Sequence, residues 1–327
     1  MQRPPDSHAV GAASQPADVE PVPSVPIVVA SYSGAANAGG FDFDPRTGAR
    51  LDRSFPSIDA LAFRDPRDAT RIARVRLLKG LDFVYSRFLS MGVAQSMGAE
   101  MEAQAVLVSS DQAPSLWKLL DKAARALDVR VPNLFVGHNE AGMQTAGSDQ
   151  PFILVDAGLI DLLDDAELLF AFGRELGHIL SGHVPYKMLA RSIGVIGEAI
   201  GNFTLNVGAM VTTGLEAPLR DWDQFSEFSG DRAGLLAVQS LDVATSALFK
   251  LAAGGHRLFD EMSPDAFVEQ GRRALRDDRP VGARLSSIIR SLQAGAPLLA
   301  SRAVALAEWC ESGEYAAVLL GNYARRT

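Results

Sequence analysis

The chain has 327 residues and is 47% apolar, enough to bury the core of one large domain or two modest ones. Its 31 basic and 39 acidic residues give a net charge of -8 without a Lys- or Arg-rich block, which argues against a protein that binds nucleic acid. Because Cys310 is the single cysteine, an intramolecular disulfide framework and a Cys-rich zinc module are excluded. The same observation predicts a reducing compartment, the cytoplasm.

The first part of the chain differs in composition from the rest. Residues 1–56 contain eight of the seventeen prolines, separated by Ser, Ala and Gly, and have no sustained apolar period. A segment of this kind buries too little surface to offset its ordering entropy, so a disordered or loosely attached tail is predicted. No signal peptide is predicted there. Residues 57–327 are predicted to form one folded domain.

Apolar periodicity predicts a mostly helical α+β protein. The predicted elements follow in chain order: a helix over 71–81, a strand over 103–109, a helix over 116–127, strands over 133–137, 143–147 and 152–156, and helices after 159. Gly and Pro separate the last three strands, which favours a small sheet built from hairpins.

A buried helix is predicted over about 165–185, because its apolar residues lie on one face. It contains Arg174-Glu175-Leu176-Gly177-His178, one residue away from the H-E-x-x-H pattern of zinc peptidases. In that pattern the two histidines lie about 40° apart on the helix and reach one metal ion. The glutamate polarises the water bound to the metal. Alone, this degenerate version is more typical of a core histidine.

The stretch over 193–215 is apolar and rich in Gly. A membrane-spanning helix needs roughly twenty predominantly apolar residues, and this stretch is interrupted and carries Glu198. It favours a buried connector between helices over a segment that lies on a membrane, so membrane association is not expected.

A second site helix is predicted over about 216–240. Glu227 and Asp231 are four residues apart and therefore share one face of it. In glutamate-liganded zinc sites one carboxylate binds the metal and another holds a ligating imidazole. A lone pair of acids is usually solvated, but this pair follows the Glu175–His178 segment by some fifty residues. The two segments together predict a common site.

Four separated motifs, in this order, carry a resemblance to a known family: GLIDLLDDAELLFAFGRELGHILSGHV, SEFSGDRAGLLAVQ, FKLAAGG and LAEWCESGEYAAVLLGNY. They resemble the HtpX-like zinc metallopeptidases, relatives of the CAAX prenyl proteases in the gluzincin clan, and in particular soluble bacterial members. The resemblance covers roughly residues 60–325. It implies a gluzincin fold with a small antiparallel or mixed sheet and an active-site helix pair, a zinc cofactor, and hydrolysis of peptide bonds in a peptide or protein substrate.

The resemblance also implies roles for individual residues. Glu175 matches the general base, His178 the second zinc ligand and Glu227 the third. Asp231 matches the residue that holds the first ligand in place.

The strand over 143–147 matches the edge strand that pairs with substrate backbone. Met143, Gln144 and Thr145 are therefore candidate substrate-binding residues. Ordinary pairing within the sheet explains the same strand equally well.

The chain departs from the family pattern at two positions. Arg174 stands where the family has its first zinc histidine, and arginine has no lone pair to donate. This leaves His178 and Glu227, whereas catalytic zinc sites normally have three protein ligands. Ala296 stands where the family has a histidine near the substrate, while Arg302 of the same motif is kept. Arg302 is a candidate catalytic residue that lines the cleft, although an ion pair within the protein is equally consistent.

Other histidines offer little replacement for the missing ligand. His183 lies about 140° around the helix from His178 and points away unless the helix breaks near Gly182. His138 and His256 are in predicted loops and stay open as alternatives.

Without zinc, Glu175, Glu227 and Asp231 would raise one another's pKa values and destabilise the fold. We expect the Arg174 guanidinium to reach Asp231 and Glu227 and to replace the charge of the metal. The sequence therefore favours a catalytically degenerate pseudopeptidase that binds a peptide or partner. The alternative is an active zinc metalloendopeptidase with Glu175 as general base and a non-standard third or fourth zinc ligand.

Overall fold

The computed structural model describes residues 53–326 except 91, 139–141, 148, 204–206, 256, 258 and 276–298. Most of this part of the chain is helical. The helices are α1 (Pro66–Arg76), α2 (Leu81–Ser90), α3 (Val93–Gln104), α4 (Pro114–Ala126), α5 (Ala157–Leu162), α6 (Asp165–Leu180), α7 (Val184–Phe203), α8 (Val207–Val238), α9 (Leu241–Ala253), α10 (Pro264–Leu275), α11 (Leu299–Glu311) and α12 (Glu314–Leu319). The predicted α+β, mostly helical class is confirmed.

The strands form one mixed sheet. They are β1 (Val106–Val108), β2 (Asn133–Gly137), β3 (Met143–Ala146) and β4 (Phe152–Asp156), in the order β1-β2-β4-β3. β2 and β4 are parallel, and the other two pairs are antiparallel. The expectation of a sheet built from hairpins is therefore wrong for β2, because β2 pairs with β4 and not with β3, the next strand in the chain. The chain can enter β4 parallel to β2 because β3 runs back in the opposite direction at the edge of the sheet.

Packing of the described chain begins within the segment that the composition assigns to the tail. Phe55 is 2% exposed, and its backbone N–H donates to the carbonyl of Ala126 at 2.8 Å. The packed region thus includes residues shortly before 57, the predicted start of the domain. Residues 1–52 lie outside the described part of the chain.

α6 is held at its N-terminus by a capping box. The Asp164 side chain accepts from the backbone N–H groups of Ala166 and Glu167, and the Glu167 side chain accepts from the N–H of Asp164. Glu167 is also buried and accepts from Ser246 and Lys250 of α9, each at 2.6 Å. These contacts fix the axial position of the helix that carries the candidate site.

The same helix ends earlier than the pattern over 165–185 predicts. Gly182 has φ +67°, a left-handed conformation that glycine adopts without a Cβ penalty. The chain therefore turns at Gly182 and continues as α7 in a new direction.

α6 and α8 pack closely because small residues line their contact. A Cβ added at Gly173 would lie 2.5 Å from the Cβ of Ala237, and one added at Gly177 would overlap the Cβ of Ala233. Observed α8 extends over 207–238, against a predicted 216–240. Side chains that project between the two helices are consequently shielded from water.

The apolar stretch over 193–215 is divided between the end of α7 and the start of α8, with 204–206 outside the described residues. None of the helices formed by described residues has a segment long and apolar enough to cross a bilayer.

We predict that Gly177→Ala destabilises the protein by roughly 1–3 kcal/mol, because the new methyl group overpacks the contact with Ala233. This loss opposes the better helix propensity of Ala, which is worth about 1 kcal/mol. The measurement is the free energy of unfolding in urea. Gly98→Ala is the matched control, since a Cβ at this helical glycine has nothing within 4 Å and should be neutral or stabilising. Equal effects of the two changes would contradict the close contact of α6 with α8.

Candidate active site

Two helices, α6 and α8, bring five of the candidate residues together. α6 carries Arg174, Glu175 and His178, and α8 carries Glu227 and Asp231. Arg174 and His178 reach the carboxylates of α8, whereas Glu175 faces the sheet. α7 and α11 contribute further cations, described below.

Arg174 joins α6 to both carboxylates of α8. Its Nε donates to Asp231 Oδ1 at 2.8 Å, and its Nη2 donates to Glu227 Oε2. Burial alone lowers the pKa of Arg174, but the charges of Glu227, Asp231 and Glu175 outweigh burial and raise it above its ordinary value. The guanidinium therefore stays charged, in the contact that the sequence predicts.

Asp231 is shared between two arginines. It is 1% exposed, and Arg302 of α11 donates to it through Nε at 2.7 Å and Nη2 at 2.6 Å. Arg302 is itself 4% exposed, so its described contacts are those of a buried ion pair. Its predicted catalytic role stays a prediction, and Ala296 of the same motif lies outside the described residues.

Glu227 has a second cationic partner that the sequence analysis missed. Lys187 of α7 donates from Nζ to Glu227 Oε1 at 2.6 Å and to Asp223 Oδ1 at 2.6 Å. Burial raises the pKa of Glu227, but Lys187 and Arg174 outweigh it and hold this pKa well below its ordinary value. No local signal in the sequence identifies Lys187, because it belongs to a separate helix that begins after the turn at Gly182.

His178 contacts a second histidine because the chain turns at Gly182. The Nδ1 atoms of His178 and His183 lie 3.1 Å apart, and His183 Nε2 lies 3.1 Å from Asp68 Oδ2, off the line of a good hydrogen bond. Asp68 also accepts from Trp222 and Ser229 at 2.8 and 2.7 Å. Burial raises the pKa of Asp68, but His183 and these donors outweigh it and lower the pKa, so the carboxylate is charged.

The proton between the two Nδ1 atoms belongs to one ring or the other according to the tautomers of the two histidines. His178 Nε2 is buried, has no hydrogen-bond partner among the described residues, and lies 3.5 Å from Glu227 Oε1. Asp68, like Lys187, was not found from the sequence.

Glu175 is 3% exposed and faces the sheet. Thr145 Oγ1 of β3 donates to Glu175 Oε2 at 2.7 Å. Burial raises the pKa of Glu175 despite the neighbouring charge of Arg174. Of the other candidate residues of β3, Met143 is buried and Gln144 Oε1 accepts from Arg191 Nη1 of α7 at 2.8 Å. The structure thus connects β3 to α6 through Thr145.

The side chains present do not fit a catalytic zinc ion. Such an ion needs three protein donors, and no three His, Cys, Asp or Glu side chains within the described ranges converge suitably. His178 offers a lone pair, but both oxygens of Glu227 accept from cations, and Arg174 has no lone pair. His183 faces Asp68, and the His138 side chain is 90% exposed. His8 and His256 lie outside the described residues.

Comparison with known proteins connects this site to a family. Residues 112–310 match peptidase family M48. The chain is 33% identical over 272 residues to the plastoglobule-localized metallopeptidase 48, chloroplastic, of Arabidopsis thaliana, covering 81% of this chain and 77% of that protein. It is 27% identical over 106 residues to a protease HtpX homolog of Leuconostoc citreum (strain KM20), covering 32% of this chain and 34% of that protein. No solved structure matches. These findings confirm the resemblance to HtpX-like metallopeptidases.

We predict that Arg174→Ala destabilises the protein by about 3–5 kcal/mol, because it leaves buried Glu227 and Asp231 without their shared cation. Arg220→Ala is the matched control, since Arg220 forms an exposed ion pair with Glu216 and should cost at most about 1 kcal/mol. Urea unfolding of both variants and the wild type measures the difference. An Arg174→Ala variant as stable as the wild type would mean that this guanidinium does not neutralise the carboxylates.

We predict that His178 makes the protein less stable in acid. Burial and the charge of Lys187 lower the pKa of His178 from 6.5 to about 3, so only the unfolded chain binds the proton between these values. Stability from this group is therefore full above about pH 6.5 and is lost as the pH falls towards 3. From pH 7 to pH 5 the loss should be about 2 kcal/mol.

The check is the free energy of unfolding at both pH values for the wild type and His178→Gln. The raised pKa of Glu175 acts with the opposite sign in both proteins, so their difference isolates His178. Equal pH dependence in the two proteins would contradict the prediction.

Proposed function

Because the chain belongs to peptidase family M48, we propose that it is a pseudopeptidase, which retains the metallopeptidase fold and binds an extended peptide without cleaving it. Members of this family are zinc-dependent peptidases. The observation that carries the proposal is the Arg174 guanidinium, which lies between Glu227 and Asp231 at the position of the family's first zinc histidine.

The chemistry of the donor set supports the absence of hydrolysis. Arg174 supplies charge but no lone pair, and Glu227 accepts hydrogen bonds on both oxygens. Glu175 is retained, but it accepts from Thr145 at 2.7 Å, and nothing in this donor set holds a water molecule in a metal-activated state beside it. The charged side chains of the site therefore neutralise one another and do not activate a water molecule for hydrolysis.

The edge strand supports peptide binding. In the antiparallel β3–β4 pair, the N–H of Asp156 donates to the carbonyl of Gly142 at 2.6 Å, so the pair 142–156 is hydrogen-bonded. Hydrogen-bonded and non-hydrogen-bonded pairs alternate along an antiparallel ladder, so Met143 and Thr145 belong to non-hydrogen-bonded pairs. The backbone N–H and C=O groups of these two residues therefore point away from β4. No other strand of the described sheet pairs with that side. Met143 and Thr145 are only 8% and 3% exposed, so addition of an extended peptide there as a fifth strand, next to Glu175, requires the groups that cover this side to move.

The partner that fits this strand is an extended segment of a peptide or protein. Binding to nucleic acid is not expected, because the net charge is -8. A cytoplasmic location, favoured by the single cysteine, stays a prediction. The Arabidopsis relative is named as localized to plastoglobules, which is a property of that protein.

We predict that the protein purified without chelator contains far less than one zinc ion per chain and does not cleave casein. Elemental analysis and a casein assay with and without 1,10-phenanthroline provide the measurements. Near-stoichiometric zinc together with chelator-sensitive cleavage would overturn the pseudopeptidase and favour an active metalloendopeptidase with Glu175 as base.

Peptide binding at β3 is tested with fluorescently labelled unfolded casein, by anisotropy. Met143→Pro removes one outward N–H without breaking a bond to β4, and it should abolish binding. Met143→Leu keeps that N–H with a similar side-chain volume and should bind as the wild type does. Retention of binding by the proline variant, or no binding by the wild type, would exclude strand addition at this edge.

A further inference from the structure

Lys187 is as deeply placed in the site as Arg174. It is 3% exposed, and its ammonium group lies 2.6 Å from Glu227 Oε1, 2.6 Å from Asp223 Oδ1 and 3.1 Å from Ser226 Oγ. Three acceptors match the three N–H donors of a lysine. A fully satisfied, buried ammonium group of this kind is part of the site and not a surface charge.

Glu227 is therefore bound by a different cation on each oxygen. Arg174 of α6 takes Oε2, and Lys187 of α7 takes Oε1. His178 Nε2, which has no hydrogen-bond partner among the described residues, lies 3.5 Å from Oε1, the oxygen that Lys187 contacts. A metal ion bound by His178 and Glu227 would have to displace Lys187 as well as Arg174.

The charges of the connected groups already balance. Within the described chain, three cations and three carboxylates are joined by ion pairs: Arg174, Lys187 and Arg302 with Asp223, Glu227 and Asp231. A divalent ion added to this cluster would bring two uncompensated charges into a buried site, which is costly.

We propose that Arg174 and Lys187 together replace a divalent cation, each supplying one of its two positive charges, and that Arg174→His combined with removal of Lys187 would complete a metal site. Arg174 alone would leave one oxygen of Glu227 without a cation. With Arg174→His, the site would consist of the introduced imidazole, His178 and Glu227, which is a donor set of two imidazoles and one carboxylate that catalytic zinc sites use. His178 Nε2 already lies next to Glu227 and has no hydrogen-bond partner among the described residues.

If both cations replace the metal ion, Arg174→His and the double variant with Lys187→Met should differ in zinc affinity. If Arg174 alone replaces it, the two variants should bind zinc equally. Arg174→His adds the third donor but keeps the ammonium group 2.6 Å from Glu227 Oε1, where it repels a metal ion and blocks a ligand. The double variant Arg174→His with Lys187→Met removes that obstacle and keeps the volume of the side chain. Lys118→Met, added to Arg174→His, is the control, because Lys118 is exposed on α4.

The experiment titrates zinc sulfate into the full-length proteins by calorimetry and compares thermal unfolding with and without zinc. We expect no binding by the wild type or by Lys187→Met and weak binding by Arg174→His. The Lys187→Met double variant should bind one zinc ion at least about tenfold more tightly than Arg174→His, and its melting temperature should rise with zinc. The control double variant, Arg174→His with Lys118→Met, should have the same zinc affinity as Arg174→His.

Equal zinc affinity of Arg174→His and the Lys187→Met double variant would overturn the inference. So would absence of zinc binding by a double variant with a native circular dichroism spectrum. The inference rests on the proposed function, because both require a wild-type site without zinc. Stoichiometric zinc in the wild type would overturn both, whereas equal affinities of the two variants would overturn only the two-cation inference.

A double variant that fails to fold without zinc still tests the inference. Folding on addition of zinc would support it. If zinc does not restore folding, the inference is tested by a double-mutant cycle of melting temperatures, in which Lys187→Met is made in the wild type and in Glu227→Gln. Lys187→Met leaves an unpaired charge on residue 227 in the wild type, but not in Glu227→Gln. The drop in melting temperature caused by Lys187→Met should be smaller in the Glu227→Gln background. Equal drops would overturn the inference.

Discussion

The ion pairs of Arg174 with Glu227 and Asp231 are the interaction on which the two site helices depend. α6 and α8 approach as closely as Gly and Ala permit, so charged side chains between them have little access to water. Buried carboxylates without a cation would raise each other's pKa values and weaken the fold. A cation in this position is therefore a requirement of the packing, whether or not the site has a chemical function.

The same charges give the two glutamates different properties. Glu227 lies between Arg174 and Lys187 and stays ionised to low pH, since both cations lower its pKa. Glu175 is next to Arg174 in the chain, but burial dominates there and raises its pKa, while Thr145 donates to it. Glu227 is thus an ion-pair partner of two cations, and Glu175 is connected to the edge strand.

Part of this site follows from short stretches of sequence. The pairing of Arg174 with Glu227 and Asp231 could be predicted, because the two acids share a helix face and the resemblance places Arg174 next to them. Lys187 and Asp68 could not, since they come from α7 and α1, and no local pattern specifies which residue of another helix meets the site. The parallel pairing of β2 with β4 was missed for a similar reason, because neighbouring strand patterns do not state their order in the sheet.

The sequence by itself determined a buried helix after Asp164, a second helix with two acids on one face, and an arginine, which has no lone pair to donate, at position 174. These are properties of periodicity and side-chain chemistry, which act within a few residues. Only the tertiary structure decided that the turn at Gly182 brings His183 back to His178, and that Lys187 takes one oxygen of Glu227. Those contacts depend on how α6, α7 and α8 pack, and packing between distant segments is set by the whole core.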